Sequence, residues 1–378
     1  MPWEPRTVVD KRREFVGLAL QPEANVRELA RRFKISARTG YKFISRFRSE
    51  GVTGLEDRSR RPLHSPSQSS PRTQERVLEI RERHPRWGGR KIAARLKALG
   101  CEEIPAPSTI TEILRRHGLL GPGMRGGQST FTRFEHDRPN ALWQMDFKGH
   151  FATDTGRCHA LTALDDHSRF NLALEACANE QGKTVQTKLE AVFERFGLPQ
   201  TIITDNGSPW GGGGAQNVWT PFCVWLARLG IRVSHSRPRH PQTMGKDERF
   251  HRTLDVELLQ GRRFRDLKET QRAFDRFRSI YNHERPHEAL GYEPPAKRYT
   301  PSQRSFPKML PEIAYGDHDV VRRVDVNGKL SFRGRAFRIP KAFKGFPVAL
   351  RPDQDDDGTY NVFFMATPIA TLDLTEPT

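Results

Sequence analysis

The stretch ALWQMDFKGHF, residues 141–151, alternates between apolar and polar side chains. Trp143, Met145 and Phe147 fall on one side, and Gln144, Asp146 and Lys148 on the other, which is the period of a β-strand. One carboxylate, Asp146, thus stands on a strand's polar face. Downstream, residues 157–164 and 170–176 read as two more strands joined by the polar hairpin turn Asp165-Asp166-His167-Ser168. Residues 184–196 place Val185, Leu189, Val192, Phe193 and Phe196 at helical spacing, closed by Gly197 and Pro199. Residues 201–204 form a short apolar strand that delivers Asp205 into the turn Asn206-Gly207. A helix over 222–229, a strand over 231–235 and a helix over about 245–259 follow, with Glu248 in the first turn of the last. Three strands, helix, strand, helix, strand, helix is the order of a mixed sheet with helices on its faces.

Three carboxylates on separate elements, Asp146, Asp205 and Glu248, are the oxygen donors that a hard divalent cation requires. A pair of Mg²⁺ or Mn²⁺ ions so held can activate a nucleophile and stabilise the leaving oxygen in phosphodiester transfer. Asp247 and Asp255 are rival acids, but Asp247 would point about 100° away from Glu248 on a helix, and Asp255 lies two turns on.

The strings WQMDF at 143–147, TDNGSPW at 204–210, RPRHPQTMGKDERFHRTL at 237–254 and YNHERPHEALGYEPPAKRY at 281–299 resemble the integrase-type core of DDE transposases of bacterial insertion sequences, relatives of retroviral integrases. The resemblance covers roughly residues 135–300. It implies an RNase H-like core in which Asp146, Asp205 and Glu248 are the metal-binding catalytic triad. The 42 residues between Asp205 and Glu248 exceed the family's usual spacing. The glycine run beginning at Gly211 offers room for the surplus, and Met244 stands where relatives usually carry Asn. Asn206 and Gly207 are expected to shape the turn that presents Asp205. His240, Lys246, Arg249 and Arg252, on or near the Glu248 element, are candidate phosphate contacts.

Upstream, Asn25 and Glu28 form a capping box for a helix carrying Val26, Leu29, Ala30 and Phe33. A short turn through Lys34 leads to Ser36, the N-cap of a second helix with Tyr41, Ile44 and Phe47 on its apolar side. This is a helix-turn-helix pattern that presents Ala37, Arg38, Thr39, Lys42 and Arg46 to DNA. A Ser/Pro-rich linker follows, and then a second helical module with helices over 73–83 and 90–99 and a capping box at Thr109 and Glu112. Arg90 and Lys91 are its candidate DNA contacts, and Trp87 reads as a packing residue. Beyond a proline-rich break, short alternating segments between 320 and 364 suggest a small β-barrel bearing Arg322, Arg323, Arg333, Arg335 and Arg338.

The organisation expected is a multidomain α and α/β chain. Residues 1–63 form a helix-turn-helix module, 64–71 a linker, 72–120 a second helical module, 121–138 a linker, 139–300 the RNase H-like core and 312–378 the barrel. Of 378 residues, 63 are Lys or Arg and 45 Asp or Glu, a net charge of +18. Residues 1–140 hold 29 basic and 16 acidic side chains, so the excess sits mainly there and favours a polyanionic partner. No stretch approaches the roughly 20 apolar residues of a membrane span, and no apolar leader follows the start. Four dispersed cysteines fit neither zinc pairs nor a disulfide framework, so a cytoplasmic setting is expected. There is no phosphate-binding GKS/T loop, hence no nucleotide cofactor is expected, and no GxSxG or Cys/His nucleophile pattern.

The function implied is a transposase that binds the inverted repeats at the ends of its element. It would cut those ends and join the 3′-hydroxyl to target DNA, working as a dimer or larger assembly on double-stranded DNA. Two rivals predict different behaviour: a nuclease of the same fold without strand transfer, and a DNA-binding regulator derived from a silenced transposase.

Overall fold

The computed structural model describes residues 7–58, 68–120, 135–211, 219–235 and 244–375. Residues 64–67 and 121–134 of the expected linkers, Gly212–Gly214 and His240 lie outside the described residues. The chain divides into two units, Met1–Gln68 and Ser69–Thr378.

The first unit is three helices, α1 (Val8–Ala19), α2 (Val26–Arg32) and α3 (Ala37–Glu50). Asn25 and Ser36 cap α2 and α3 as their residue types dictate. Helix α1 goes beyond the sequence reading, although Thr7 and Asp10 carry its signature, a reciprocal capping box. Phe15, Val16, Ala30, Phe43, Ile44 and Leu55 form the core. Phe43 takes the place expected of Tyr41, which is 53% exposed. The reason is α1: a Cβ on Gly40 would stand 2.7 Å from Phe15 Cζ, so the α1 contact turns the Gly40–Phe43–Ile44 face inward. Lys34 adopts the left-handed conformation, φ 55°, at the tight turn where a glycine would sit without strain.

The second unit opens with α4 (Pro71–Arg83), α5 (Gly89–Ala98) and α6 (Pro107–Arg116). They close on Val77, Ile80, Trp87, Ile92, Leu96, Ile110, Ile113 and Leu114. Trp87 is fully buried, and Arg81 donates to the carbonyls of Trp87 at 2.7 Å and Leu119 at 2.5 Å. Thr109 and Glu112 do not form the expected capping box. Pro107 preorganises the first turn earlier, with Ala106 at the N-cap and no side-chain cap.

The next elements are β1 (Leu142–Thr153), β2 (Gly156–Asp165), β3 (Asn171–Cys177), α7 (Gly182–Phe196), β4 (Thr201–Thr204), α8 (Pro221–Arg228), β5 (Arg232–His235), α9 (Gly245–Leu254) and α10 (Leu267–His283). The five strands form one sheet in the order β3-β2-β1-β4-β5. The pairs β1–β2 and β2–β3 are antiparallel, whereas β1–β4 and β4–β5 are parallel. This is the RNase H-like mixed sheet that the resemblance implies.

Helices cover both faces. Trp143, Met145, Leu161 and Ile202 pack with α7 and α8 on one face, and Cys158, Ala160, Leu164 and Leu174 with α9 and α10 on the other. Double coverage explains why Leu142 to Met145 are all buried although their sequence alternates. Helix α8 is apolar all round. Phe222, Cys223, Trp225 and Leu226 belong to the core cluster, while Val224 and Ala227 belong to the apolar cluster of the C-terminal strands.

Those strands are β6 (Val320–Arg323), β7 (Lys329–Phe332), β8 (Arg335–Arg338), β9 (Pro347–Pro352), β10 (Thr359–Phe364) and β11 (Thr367–Asp373). They make an antiparallel sheet in the order β11-β10-β9-β6 and a separate β7-β8 hairpin, both contributing to one apolar cluster. Strand β11 and helix α10 add to the sequence-based expectation. Among the described residues no helix is long and apolar enough to cross a membrane, and all four cysteines are free thiols.

Candidate active site

The strand register sets the geometry. Gln144 on β1 is level with Ile203 on β4. Two residues further along these parallel strands stand Asp146, within the long strand β1, and Asp205, just past the carboxyl end of β4. Asp205 leaves β4 into a fixed turn. Gly207 N–H donates to Asp205 Oδ1 at 3.0 Å, His235 Nδ1 lies 3.0 Å from the Asp205 carbonyl oxygen, and Trp210 N–H closes on the Gly207 carbonyl at 2.9 Å. A Cβ on Gly207 would lie 3.1 Å from Asp205 Oδ2, so glycine lets the carboxylate fold over the turn.

Helix α9 brings the third group of acids. Asp247 is 1% exposed and faces the sheet, whereas Glu248 is on the exposed side of the same turn. Oxygens of Asp146 and Asp247 and a ring nitrogen of His251 lie within 4.8 Å of one another. Thr162, paired with Asp146 across β1 and β2, ties them together. Its Oγ1 is 3.0 Å from the Asp146 carbonyl, 3.0 and 3.1 Å from the two Asp247 oxygens, and 2.8 Å from His251 Nε2. One hydroxyl proton cannot serve four acceptors, so His251 or Asp247 must itself donate a proton to Thr162.

Electrostatics agree. Burial pushes Asp247 well above the usual carboxylate range, with the Asp146 charge adding to it. Burial and the nearby Lys148 hold His251 down at about 4, a neutral ring at physiological pH. Asp146 is pushed up to about 7, first by burial and then by Asp205, with smaller contributions from Glu180 and Glu248.

Asp247, His251, Thr162 and Glu180 were not among the site residues expected from sequence. The helical line Asp247, Phe250, Leu254 is the signal for the first, because Phe250 and Leu254 are core residues.

A clamp fixes the start of α9. Asp166, 1% exposed, accepts Gln144 Nε2 at 2.8 Å and His136 N–H at 2.9 Å and is ion-paired with Lys246. Gln144 Oε1 in turn accepts Asp247 N–H at 3.2 Å. Asp165 is equally enclosed and accepts from Ser168 and from Asn140 N–H. The hairpin expected to be a polar turn is therefore a buried anchor. Lys246 faces Asp166 and not a solvent-exposed surface, while Arg249 and Arg252 are exposed. Arg38 and Lys42 are exposed on α3, with Thr39 and Arg46 partly covered. Lys91 pairs with Glu257 at 3.3 Å and Arg90 with Glu288 at 3.3 Å, so both point toward the core.

Comparison with known proteins bears on this geometry. Models of the integrase core domain match residues 136–241 and 229–295, and the model of the IS481 family transposase C-terminal domain matches residues 319–378. The chain carries an integrase core of the kind shared by DDE transposases and retroviral integrases. Helix-turn-helix and homeodomain-like models match residues 11–62 and 39–114.

Its relatives include the insertion element IS476 uncharacterized 39.2 kDa protein of Xanthomonas euvesicatoria. That protein is 23% identical over 258 residues, 67% of this chain and 72% of the relative. The IS407 uncharacterized 31.7 kDa protein of Burkholderia multivorans is 23% identical over 261 residues, 67% of this chain and 90% of the relative. The transposase for insertion sequence element IS904 of Lactococcus lactis is 28% identical over 165 residues, 43% of this chain and 62% of the relative. Among solved structures, a simian T-cell lymphotropic virus intasome aligns at 16% identity and TM-score 0.37, covering 78% of this chain and 99% of that one. The HTLV-2 integrase catalytic core aligns at 15% identity and TM-score 0.33, covering 43% and 99%.

The donor chemistry of the site fits a hard divalent cation. Asp146, Asp205 and Glu248 offer oxygen only, and burial together with the neighbouring Asp205 and Glu248 raises the proton affinity of Asp146. A pH dependence follows. The folded value of Asp146 lies above its unfolded value of roughly 4, so its contribution to stability is full below that value and lost as pH rises through about 7. Without divalent metal the melting temperature should fall across this window, Mg²⁺ should oppose the fall, and Asp146→Asn should lack this component. A calorimetric profile identical in parent and variant would refute the assignment.

Proposed function

We propose that this transposase-family enzyme binds the terminal inverted repeats of an insertion sequence, cleaves the element ends and joins the 3′-hydroxyl to target DNA. Asp146, Asp205 and Glu248 would hold two Mg²⁺ or Mn²⁺ ions. When bound, such ions activate the attacking oxygen and neutralise charge on the leaving oxygen. The chain's own residues supply the rest. The parallel strands β1 and β4 set Asp146 and Asp205 side by side, Asn206 and Gly207 shape the turn at Asp205, and the α9 clamp orients the first turn that carries Glu248. Arg249 and Arg252, exposed on α9, are placed to meet phosphates of the DNA being cut.

The observation that carries the reading is the level position of two aspartates on adjacent parallel strands, one within β1 and one just past the end of β4, in an integrase core. The same proposal makes residues 1–63 and 72–120 the DNA-end modules, with Arg38, Thr39, Lys42 and Arg46 as contacts of the first. It makes residues 139–300 the catalytic core and 312–378 a small barrel for DNA or subunit contact. Joining two ends calls for at least a dimer on double-stranded DNA, in the cytoplasm.

The test supplies purified protein, Mg²⁺, pre-cut ends carrying the DNA that borders its own coding sequence, and a supercoiled plasmid. Joined product is expected. Cutting of uncut ends with no joined product would leave a nuclease, and DNA binding with neither activity would leave a regulator.

A further inference from the structure

Helix α5 is strongly basic, and three of its charged side chains, Arg90, Lys91 and Arg95, point at the catalytic core. Arg86, just before the helix, donates to Gln260 Oε1 at 3.1 Å. Arg90 pairs with Glu288 at 3.3 Å, Lys91 with Glu257 at 3.3 Å and Arg95 with Glu284 at 2.5 Å. Glu257 also takes Arg285 at 2.9 Å, and Ile280 of α10 packs against the apolar cluster of the helical module.

Burial ranks these pairs. Arg90 and Glu288 are 65% and 60% exposed, and such a pair contributes little. Glu257 and Arg285 are 13% and 11% exposed and Lys91 is 25% exposed, so each depends on the others to leave water. Burial draws the Lys91 ammonium down to about 8, while Arg285 and Lys91 hold Glu257 below its ordinary range against the opposing effect of burial. A DNA phosphate approaching this side of α5 would meet Glu257, Glu284 and Glu288 at close range, a like-charge barrier. On α6, by contrast, Ser108, Arg115 and Arg116 are exposed, with Arg115 paired to Glu112 of its own helix and not to the core.

We infer that the acidic face of Glu257, Glu284 and Glu288 is the docking seat of helix α5, and that this seat acts as a ruler. It fixes the distance between DNA held by the helical module and the carboxylates of the core, so Lys91 and Arg95 determine where a strand is cut and not how tightly DNA is held. The inference rests on the function proposed above, because a ruler needs a cut to measure. Its physical content is separate: a docked module transmits its position to the site as a rigid body, and an undocked one does not.

The experiment uses the full chain and a duplex carrying the DNA that borders its own coding sequence. The parent protein should cut at one phosphodiester. Arg95→Glu should keep total cutting within a few-fold and spread the cuts over neighbouring positions, and adding Glu284→Arg should restore the single position. Arg95→Ala provides a milder form should Arg95→Glu fold poorly. Affinity measured against salt should keep its slope in Arg95→Ala, whereas loss of a phosphate contact would reduce the slope by about 0.9. A sharp, unshifted cut in folded Arg95→Glu, or a reduced salt slope in Arg95→Ala, overturns the ruler. No cutting by the parent, or equal cutting by Asp146→Asn, overturns the underlying function instead.

Discussion

Asp146→Asn should abolish metal-dependent DNA cleavage while leaving DNA affinity unchanged. The substitution preserves shape and replaces an anion with a neutral amide within the central strand, level with Asp205 on β4. Removing even an outer-shell metal partner costs roughly 10- to 100-fold, so losing a direct donor should cost at least about 100-fold. The exposed basic residues of α3 are far along the chain, in the other unit, and are untouched by the change. A second consequence has the opposite sign. Asp146 is pushed up to about 7 because its charge is buried beside Asp205, so the neutral variant should be more stable than the parent above that pH when metal is withheld. Cleavage assays, filter binding and melting curves in chelator read the three quantities. Retained cleavage would remove Asp146 from the site.

Asp166→Ala should be among the most destabilising substitutions in the chain. Asp166 is 1% exposed and serves Lys246, Gln144 Nε2 and His136 N–H at once. Deleting it leaves Lys246, whose side chain is 14% exposed, as an enclosed cation without its carboxylate. Breaking a buried pair in this way costs about 3–5 kcal/mol, readable as a lower urea midpoint. Replacing both charges, as Asp166→Leu with Lys246→Met, should recover most of that stability. Activity should stay low in the double variant, because the clamp that seats α9 on β1 is gone. A parent-like urea midpoint for Asp166→Ala would show that the pair carries no such weight.

The sheet and the two aspartates on its inner strands were legible because strand period and strand ends are local properties. Trp143, Met145 and Phe147 alternate with Gln144 and Asp146, and Asp205 follows four residues of apolar strand. The orientation of α9 was not legible in the same way. A helix can rotate about its axis until packing fixes it, and Phe250 and Leu254 settle α9 with Asp247 inward and Glu248 outward. Arg90 and Lys91 show the same limit. Charge runs announce a polyanion, but the acidic residues that meet them, Glu257 and Glu288, are distant in sequence. Tyr41 and Phe43 exchanged roles because α1, whose apolar residues are interrupted by the charged run Asp10 to Glu14, contributes the Phe15 contact that turns α3.

Helix α8 has no solvent-facing stripe to give up. One side completes the catalytic sheet's core, and Val224 and Ala227 complete the core of the C-terminal strands. The C-terminal region is consequently no detachable appendage. A fragment trimmed at the end of the integrase-core match, residue 295, would expose both residues to water and would acquire a sticky patch. Melting of the catalytic sheet and of the terminal strands should therefore be thermodynamically coupled, and exchange of the terminal region between relatives would require co-variation of α8.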